Sequence, residues 1–144
     1  MAHPYSDPAL RQPSNWEEFV QALSARNMVD FSLHAGRERV EFFFVPKKDQ
    51  RLRMVCDCRH SNCWFDDPDP VALCTGETLS RLEVPKGSQL YILEADLSDA
   101  FHHLELPPGL RDIFSMRPVR AAAAGLTELD GRQLAPSDLV VPPV

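Results

Sequence analysis

Residues 39–58 read RVEFFFVPKKDQRLRMVCDC, which is two apolar runs separated by a basic turn. The first run, Arg39 to Val45, contains three consecutive phenylalanines, and aromatic enrichment over so few residues favours a strand. Pro46 ends this run, and the polar residues 47–50 are typical of a turn. From Arg51 to Cys58 the second run alternates between two faces. The stretch therefore predicts an antiparallel hairpin with a basic tip.

A helix is predicted on the N-terminal side of this hairpin. Ser14 and Glu17 have the S-x-x-E spacing of a capping box. Apolar residues then follow at the spacing of one helical face. These residues are Trp16, Phe19, Val20 and Leu23. Asn27 is suited to end the helix, and a helix followed by a hairpin indicates an α+β fold.

Shorter elements are predicted after the hairpin. Thr75 is suited to cap a short helix that runs to Leu82, with its leucines facing inward. The apolar run Leu90–Ala95 predicts a strand that leads directly into Asp96. A further strand is predicted at Ile113–Met116, and a second hairpin is predicted around Asp130-Gly131.

The composition indicates a folded middle between irregular ends. With 44% hydrophobic and 25% charged residues among 144, a buried core is expected and wholesale disorder is not. Proline accounts for 13 residues, well above its usual share of about 5%, and it is concentrated near both termini. We therefore expect residues 1–13 to be a disordered tail, residues 14–116 to form the folded domain and residues 117–144 to be an irregular segment.

The charge is unevenly distributed along the chain. The net charge of −6 argues against a nucleic-acid binder when the chain is taken as a whole. Seven of the 15 basic residues nevertheless lie between Arg37 and Arg59, where four acids occur, which leaves a local excess of three positive charges (seven minus four). A basic patch in one segment is the pattern expected of an anion-binding surface.

Four cysteines occur, and no secretory signal pattern or apolar run of membrane-spanning length accompanies them. These features indicate reduced thiols, an intracellular protein and no membrane partner.

Asp96 is a candidate metal ligand because it follows a predicted buried strand. A carboxylate in such a place is costly to bury unless a partner offsets its charge. A Mg²⁺ ion is one suitable partner, since it prefers carboxylate oxygens and substrate phosphates. The alternative is that Asp96 or Asp99 caps the next turn of helix.

The hairpin tip is a candidate anion site. Lys47 lies in the turn and Arg53 on the outward face of the return strand, so both could point toward one anion. A guanidinium offers a planar fork suited to phosphate, and an ammonium offers a mobile point charge. The alternative is a solvated charged hairpin with no ligand.

A cluster of thiols and one imidazole gives a competing zinc interpretation. Its members are Cys56, Cys58, His60, Cys63 and Cys74. Structural zinc sites usually combine two close pairs with C-x₂₋₄-C spacing, whereas the first pair here is C-x-C and the last cysteine is isolated. Buried structural thiols are therefore favoured over zinc, and stoichiometric zinc is not expected.

Two motifs together resemble those of retroelement reverse transcriptases. Residues 44–62 resemble the fingers hairpin, which has a basic turn followed by R-x-x-x-D-x-R-x-x-N. The matching residues are Arg53, Asp57, Arg59 and Asn62. Residues 95–101, ADLSDAF, resemble the first palm motif, D-x-x-x-[AF]-[FY]. The order and separation of the motifs also match, and the resemblance covers about residues 42–116.

The resemblance implies a metal site in the palm. Asp96 would be a carboxylate ligand of two catalytic Mg²⁺ ions, and the carbonyl of Leu97 would be a further ligand. The implied reaction is nucleotidyl transfer, in which the metals stabilise the attacking and leaving oxygens.

The resemblance also implies a nucleotide site. Lys47 and Arg53 would hold the triphosphate of the incoming deoxynucleotide. Phe101 would lie under the sugar as the steric gate against a 2′-hydroxyl, and Asp99 and Ala100 would line the same pocket. The implied partners are an RNA or DNA template-primer and the missing remainder of the polymerase.

The family's other catalytic motifs do not occur in this sequence. The second palm motif and the [YF]-x-D-D turn are lacking, and the adjacent acids Asp66-Asp67 precede the first palm motif. We therefore expect a partial fingers and palm domain that is inactive alone. Two alternatives are a non-catalytic nucleic-acid or protein interaction module and, less favoured, a small zinc-binding domain.

Overall fold

The computed structural model describes residues 3–98 and 100–143, without the side chains of residues 101 and 102. It divides into unit 1, which comprises residues 1–65 and 105–144, and unit 2, which comprises residues 66–104. The α-helices are α1 (Pro13–Ser24), α2 (Arg59–Asn62), α3 (Gly76–Ser80) and α4 (Ala121–Ala124). The strands are β1 (Glu41–Pro46), β2 (Leu52–Asp57), β3 (Val119–Arg120), β4 (Glu128–Leu129), β5 (Arg132–Gln133) and β6 (Leu139–Val140). The predicted α+β class is confirmed at this level.

Helix α1 confirms the predicted helix but not its predicted cap. The N-cap residue is Gln12, and Pro13 occupies the first helical position, where its missing N–H is tolerated. Ser14 therefore lies inside the first turn, and the expected capping box is wrong. Glu17 accepts hydrogen bonds from Arg120 instead, at 2.7 and 2.8 Å. The helix is followed by Asn27 in the left-handed region, with φ 55°.

The hairpin of β1 and β2 is confirmed, with an antiparallel register that runs from Glu41 opposite Asp57 to Pro46 opposite Leu52. One face packs on α1 through aromatic contacts. The ring of Phe19 lies 5.4 Å from that of Phe42, which is fully buried.

The N-terminal residues cover part of the opposite face of the hairpin. The Tyr5 ring packs edge-on against Phe43 at 5.4 Å, and the Asp7 N–H donates to the Phe42 carbonyl at 2.8 Å. Leu10, in the 3₁₀ turn Pro8–Arg11, is buried in the core. Apolar side chains and backbone groups of residues 3–12 thus have partners in the fold, whereas the sequence led us to expect a disordered tail over residues 1–13.

The C-terminal residues complete the core of unit 1. β3 pairs with β6, which places the buried Val119 opposite the buried Val140. Backbone hydrogen bonds of 2.8 Å join Ser32 and Val141 in both directions. Four short strands thus occur within residues 117–143, whereas the sequence led us to expect an irregular segment over residues 117–144. The predicted hairpin at Asp130-Gly131 is confirmed as the turn between β4 and β5, with both turn residues at positive φ.

Residues 113–116 do not form the strand that their apolar pattern predicts. Ile113 and Met116 are buried, and Ser115 forms isolated bridges to Arg39 and Pro143. The segment is therefore a buried connection that crosses the base of the hairpin region without extended pairing of its own. Gly36 passes close to it, since a Cβ built on Gly36 would lie 2.1 Å from the Ser115 Oγ.

Unit 2 has no buried residue among 66–98. α3 has the predicted Thr75 cap, whose Oγ1 accepts from the Thr78 N–H at 3.3 Å. The helix ends before Leu82, and Leu79 and Leu82 are exposed rather than inward-facing.

The predicted strand Leu90–Ala95 is wrong for this structure. Leu93 is 95% exposed and Tyr91 is 84% exposed. A strand requires a hydrogen-bonded neighbour, and none pairs with residues 90–95 within the described ranges. These residues consequently form no palm sheet. No described helix is both long and apolar enough to cross a membrane.

Replacement of Gly36 by alanine should destabilise unit 1. The added methyl group would collide with Ser115 and with the Asp112 carbonyl, and overpacking of this kind costs about 1–3 kcal/mol. Urea denaturation monitored by circular dichroism would measure the loss. Gly76→Ala is the matched control, since nothing lies within 4 Å of its added carbon; equal effects of the two substitutions would contradict the predicted contact.

Candidate functional site

The hairpin tip is shaped by a four-residue turn between Pro46 and Arg51. The Lys47 N–H donates to the Arg51 carbonyl at 2.7 Å, and the Gln50 N–H donates to the Lys47 carbonyl at 3.2 Å. Gln50 adopts a positive φ of 63°, which reverses the chain. The turn sets Lys47 beside the start of β2, where Arg53 pairs across the hairpin with Val45.

The cations of the tip fall into two groups. Arg51 is engaged by Asp49, with its Nη2 2.6 Å from the Asp49 Oδ2. Hydrogen bonds from Arg51 lower the pKa of Asp49. Lys47, Lys48 and Arg53 form no ion pair within residues 3–98 and 100–143. The tip therefore presents three cations that form no ion pair with a described carboxylate.

Those three side chains line one open depression of about 480 Å³, together with Val45, Pro46 and Asp49. Arg53 is exposed and Lys47 is partly exposed. The structure thus brings together the two residues that the sequence nominated as phosphate ligands. Such an arrangement can hold a polyanion, because it combines a planar guanidinium with two mobile ammonium groups.

The other charged members of the fingers pattern support the fold. Arg59 donates to both oxygens of Asp57, at 2.8 Å from Nε to Oδ1 and 2.6 Å from Nη2 to Oδ2. The Tyr5 N–H also donates to Asp57, at 2.7 Å. The Asp57 side chain is buried, and the hydrogen bonds from Arg59 hold its pKa far below the usual range. This ion pair joins the end of β2, the start of α2 and the N-terminal segment.

Helix α2 is also fixed to unit 1 by polar contacts. The Asn62 N–H donates to the Cys58 carbonyl at 2.8 Å within the helical turn. The buried Ser61 hydroxyl donates to the Ile113 carbonyl. The last residue of the fingers pattern thereby lies in a short helix that is anchored to the Ile113 carbonyl.

The nominated palm residues lie in unit 2. Asp96 and Leu97 are exposed and have no regular secondary structure. Ala100 begins the 3₁₀ turn Ala100–His103 and is partly buried. Asp99 and the side chain of Phe101 lie outside the described residues. The argument that Asp96 ends a buried strand is therefore wrong, since residues 90–95 form no strand.

The described residues do not assemble a two-metal centre around Asp96. No three His, Cys, Asp or Glu side chains converge at metal-binding distance in the part of the chain that is described. A single exposed carboxylate can hold a hydrated Mg²⁺ only loosely, because this ion keeps most of its waters. The zinc interpretation meets the same difficulty, because no group of three possible ligands forms among its described cysteine and histidine residues. The expected absence of stoichiometric zinc stays a prediction.

Sequence reasoning missed the part played by Arg117. Its guanidinium lies over the Trp16 ring at 4.2 Å and donates to the Leu10 carbonyl at 2.6 Å. It also faces Glu41, with 3.6 Å between Nε and Oε2. No local periodicity marks Arg117, because its partners are distant in sequence.

Replacement of Asp57 by asparagine should lower the free energy of unfolding by about 1–3 kcal/mol at pH 7, since a buried charge-assisted contact is lost. A carboxylate with a lowered pKa stabilises the fold above its unfolded pKa of about 3.9. That contribution disappears as the pH falls through the lowered pKa. The difference in the free energy of unfolding between wild type and Asp57→Asn should therefore shrink below about pH 4. Urea denaturation at several pH values would measure it.

Asp49→Asn is the control for this experiment, because its pair with Arg51 is exposed. Exposed pairs contribute about 0–1 kcal/mol, so this substitution should have little effect on stability. The difference in the free energy of unfolding between wild type and Asp57→Asn could instead stay constant from pH 7 to pH 2. That result would show that the Asp57 charge is not the stabilising feature.

Comparison with known proteins adds no relative. No protein-family model matches the chain, and no curated protein or solved structure matches it. The functional assignment rests on the residues and their geometry.

Proposed function

We propose that this chain is the fingers and first palm motif of a reverse-transcriptase-like, RNA-directed DNA polymerase, and that its hairpin tip binds the triphosphate of a nucleotide. The observation that carries the proposal is the shared depression lined by Lys47, Lys48 and Arg53. The support from sequence is the resemblance of two motifs that occur in the family's order.

The charge arrangement of the tip suits a triphosphate. Three cations without carboxylate partners face a ligand that carries several negative charges, and charge-assisted hydrogen bonds are among the stronger polar contacts in proteins. Asp49 also lines the depression, but Arg51 offsets its charge. The hairpin therefore retains a net positive tip on a chain whose net charge is −6.

The palm part of the proposal rests on the resemblance. Asp96 and the Leu97 carbonyl would be ligands of Mg²⁺, and Asp99, Ala100 and Phe101 would line the sugar pocket. Template-primer, deoxynucleotide and the remainder of the polymerase would be the partners. Nucleotidyl transfer is the reaction class, and this chain would contribute only part of its active site.

A non-catalytic interaction module derived from such an enzyme is the second candidate. The observation that favours it is the exposure of Asp96 together with the apolar residues 90–93 of unit 2. Under this alternative the basic tip would still bind anions, whereas Mg²⁺ and Asp96 would have no part in the interaction.

Nucleotide binding should depend on the tip cations that lack carboxylate partners. Isothermal titration with a deoxynucleoside triphosphate and Mg²⁺ should show weak binding that Lys47→Gln or Arg53→Gln reduces about tenfold, since one charge-assisted contact contributes about 1.5–3 kcal/mol. Arg51→Gln in an Asp49→Asn background, compared with Asp49→Asn alone, is the matched control, because it removes the same charge from the same hairpin without leaving Asp49 unpaired in the depression. Equal losses for Arg51→Gln and Arg53→Gln would indicate only general attraction by the hairpin's charge.

The chain alone should not extend a primer on an RNA template. Two-metal transfer requires ions held about 3.5–4 Å apart by converging carboxylates, and Asp96 is the one carboxylate that matches the family's metal ligands. Primer extension with Mg²⁺ or Mn²⁺ would be compared with that of Asp96→Asn. Extension that disappears in this variant would overturn the prediction and would mean that another acid completes the site.

A further inference from the structure

Cys56 and Cys58 form a close pair of thiols where β2 ends. Cys56 lies in β2 opposite Phe42. Cys58 immediately follows the strand and is the N-cap of α2, with φ −99° and ψ 17°. The chain therefore leaves the extended conformation at Cys58, and a hydrogen bond joins the two Sγ atoms at 3.3 Å.

The two thiols differ in their ease of ionisation. The hydrogen bond with Cys56 lowers the pKa of Cys58. The same hydrogen bond, followed by burial, raises the pKa of Cys56. Cys56 is held within β2 opposite Phe42, whereas Cys58 lies beyond the paired strand at the start of α2. Cys58 is therefore assigned as the attacking thiol, since the thiolate is the nucleophilic species.

The carboxylate of Asp57 does not cancel the difference between the two thiols. Asp57 lies between the two cysteines, but its carboxylate is engaged by Arg59 and by the Tyr5 N–H. Both cysteines contact the apolar core and are partly exposed. A small reagent can therefore reach the pair from one side while the core restrains it from the other.

We infer that Cys56 and Cys58 form a thiol–disulfide exchange site for a low-molecular-weight disulfide, in which Cys58 attacks and Cys56 resolves. The inference rests on the position of the two sulfur atoms and does not depend on the proposed polymerase origin.

The exchange proceeds in two balanced steps. The Cys58 thiolate attacks one sulfur of the small disulfide, so that a mixed disulfide forms and one small thiolate leaves. Cys56 loses its proton to solvent or to that thiolate and attacks the Cys58 Sγ, which releases the second small thiolate. The protein is oxidised by two electrons, and the small disulfide is reduced to two thiols.

The geometry requires little movement for the second step. A disulfide bond is about 2.05 Å long, so the sulfur atoms must approach by roughly 1.2 Å from their present separation. Rotation of the two side chains supplies a movement of this size more readily than displacement of β2, which is held by its pairing with β1. The new bond would link the end of β2 to the start of α2.

The other cysteines serve as internal references. Cys63 and Cys74 are both exposed and form no disulfide. A small disulfide should leave a mixed disulfide on each of them, whereas the Cys56–Cys58 pair should proceed to an internal bond.

The test uses the full chain with Cys63→Ser and Cys74→Ser, incubated with oxidised glutathione and followed by intact mass spectrometry. The expected product is a monomer that has lost two hydrogens, about 2 Da, without a retained glutathione adduct. Addition of dithiothreitol should restore the original mass. Cys56→Ser in this background should accumulate an adduct on Cys58, and in Cys58→Ser the reaction at Cys56 should be at least about tenfold slower.

Several outcomes would overturn the inference. The first is that both thiols of the protein persist under conditions in which a dithiol peptide is oxidised in the same buffer. The second is that glutathione adducts form at equal rates in the Cys56→Ser and Cys58→Ser variants. The third is that a disulfide-linked dimer is the main product. Peptide mapping of the Cys63→Ser, Cys74→Ser protein after short reaction locates the first adduct without a change at Cys56 or Cys58. This measurement decides the order of attack even if one serine variant fails to fold.

Discussion

The antiparallel pairing of β1 with β2 presses Phe42 against Phe19 of α1, and the rest of unit 1 is arranged around that contact. The same pairing creates a difficulty at the base of the hairpin, because it sets Glu41 directly opposite Asp57. Like charges opposite each other across strands are unfavourable. The fold offsets each acid with an arginine from outside the strands: Arg59 engages Asp57, and Arg117 faces Glu41.

This arrangement explains how residues 3–12 and 117–143 are tied to the hairpin. Arg117 reaches Glu41 while it stacks on Trp16 and donates to the Leu10 carbonyl. Asp57 likewise accepts from the Tyr5 N–H. The two ion pairs thus connect the hairpin to segments that precede and follow it in sequence. A buried ion pair that loses one partner is strongly destabilising, so these segments and the hairpin are expected to unfold together.

The sequence predicted the elements whose signal is local. Helix α1 and the hairpin follow from periodicities of 3.6 and 2, and Asp130-Gly131 follows from turn chemistry. The order of residues 3–12 and the pairing of β3 with β6 depend on partners far along the chain, which no local pattern encodes. The run Leu90–Ala95 has strand composition, but no strand pairs with it among the described residues. A propensity for strand therefore gave the wrong prediction there, and the placement of Asp96 failed with it.

The difference between local signals and distant partners also applies to the basic residues that suggested an anion site. Sequence counting gave an excess of three positive charges between Arg37 and Arg59, but it could not tell which cations the fold would neutralise. Arg37 pairs with Asp112, from outside that stretch, and Arg51 and Arg59 pair with acids two residues away. The acid Glu41 is in turn faced by Arg117 from outside the stretch.

Four cations of the stretch consequently form no ion pair within the described residues, namely Arg39, Lys47, Lys48 and Arg53. Three of them line one depression at the hairpin tip. A cation already held by a carboxylate has little further attraction for a ligand, whereas one without such a partner retains its full charge. Among the cations between Arg37 and Arg59, the fold therefore gathers those without an ion pair in the described residues mainly at the turn between β1 and β2.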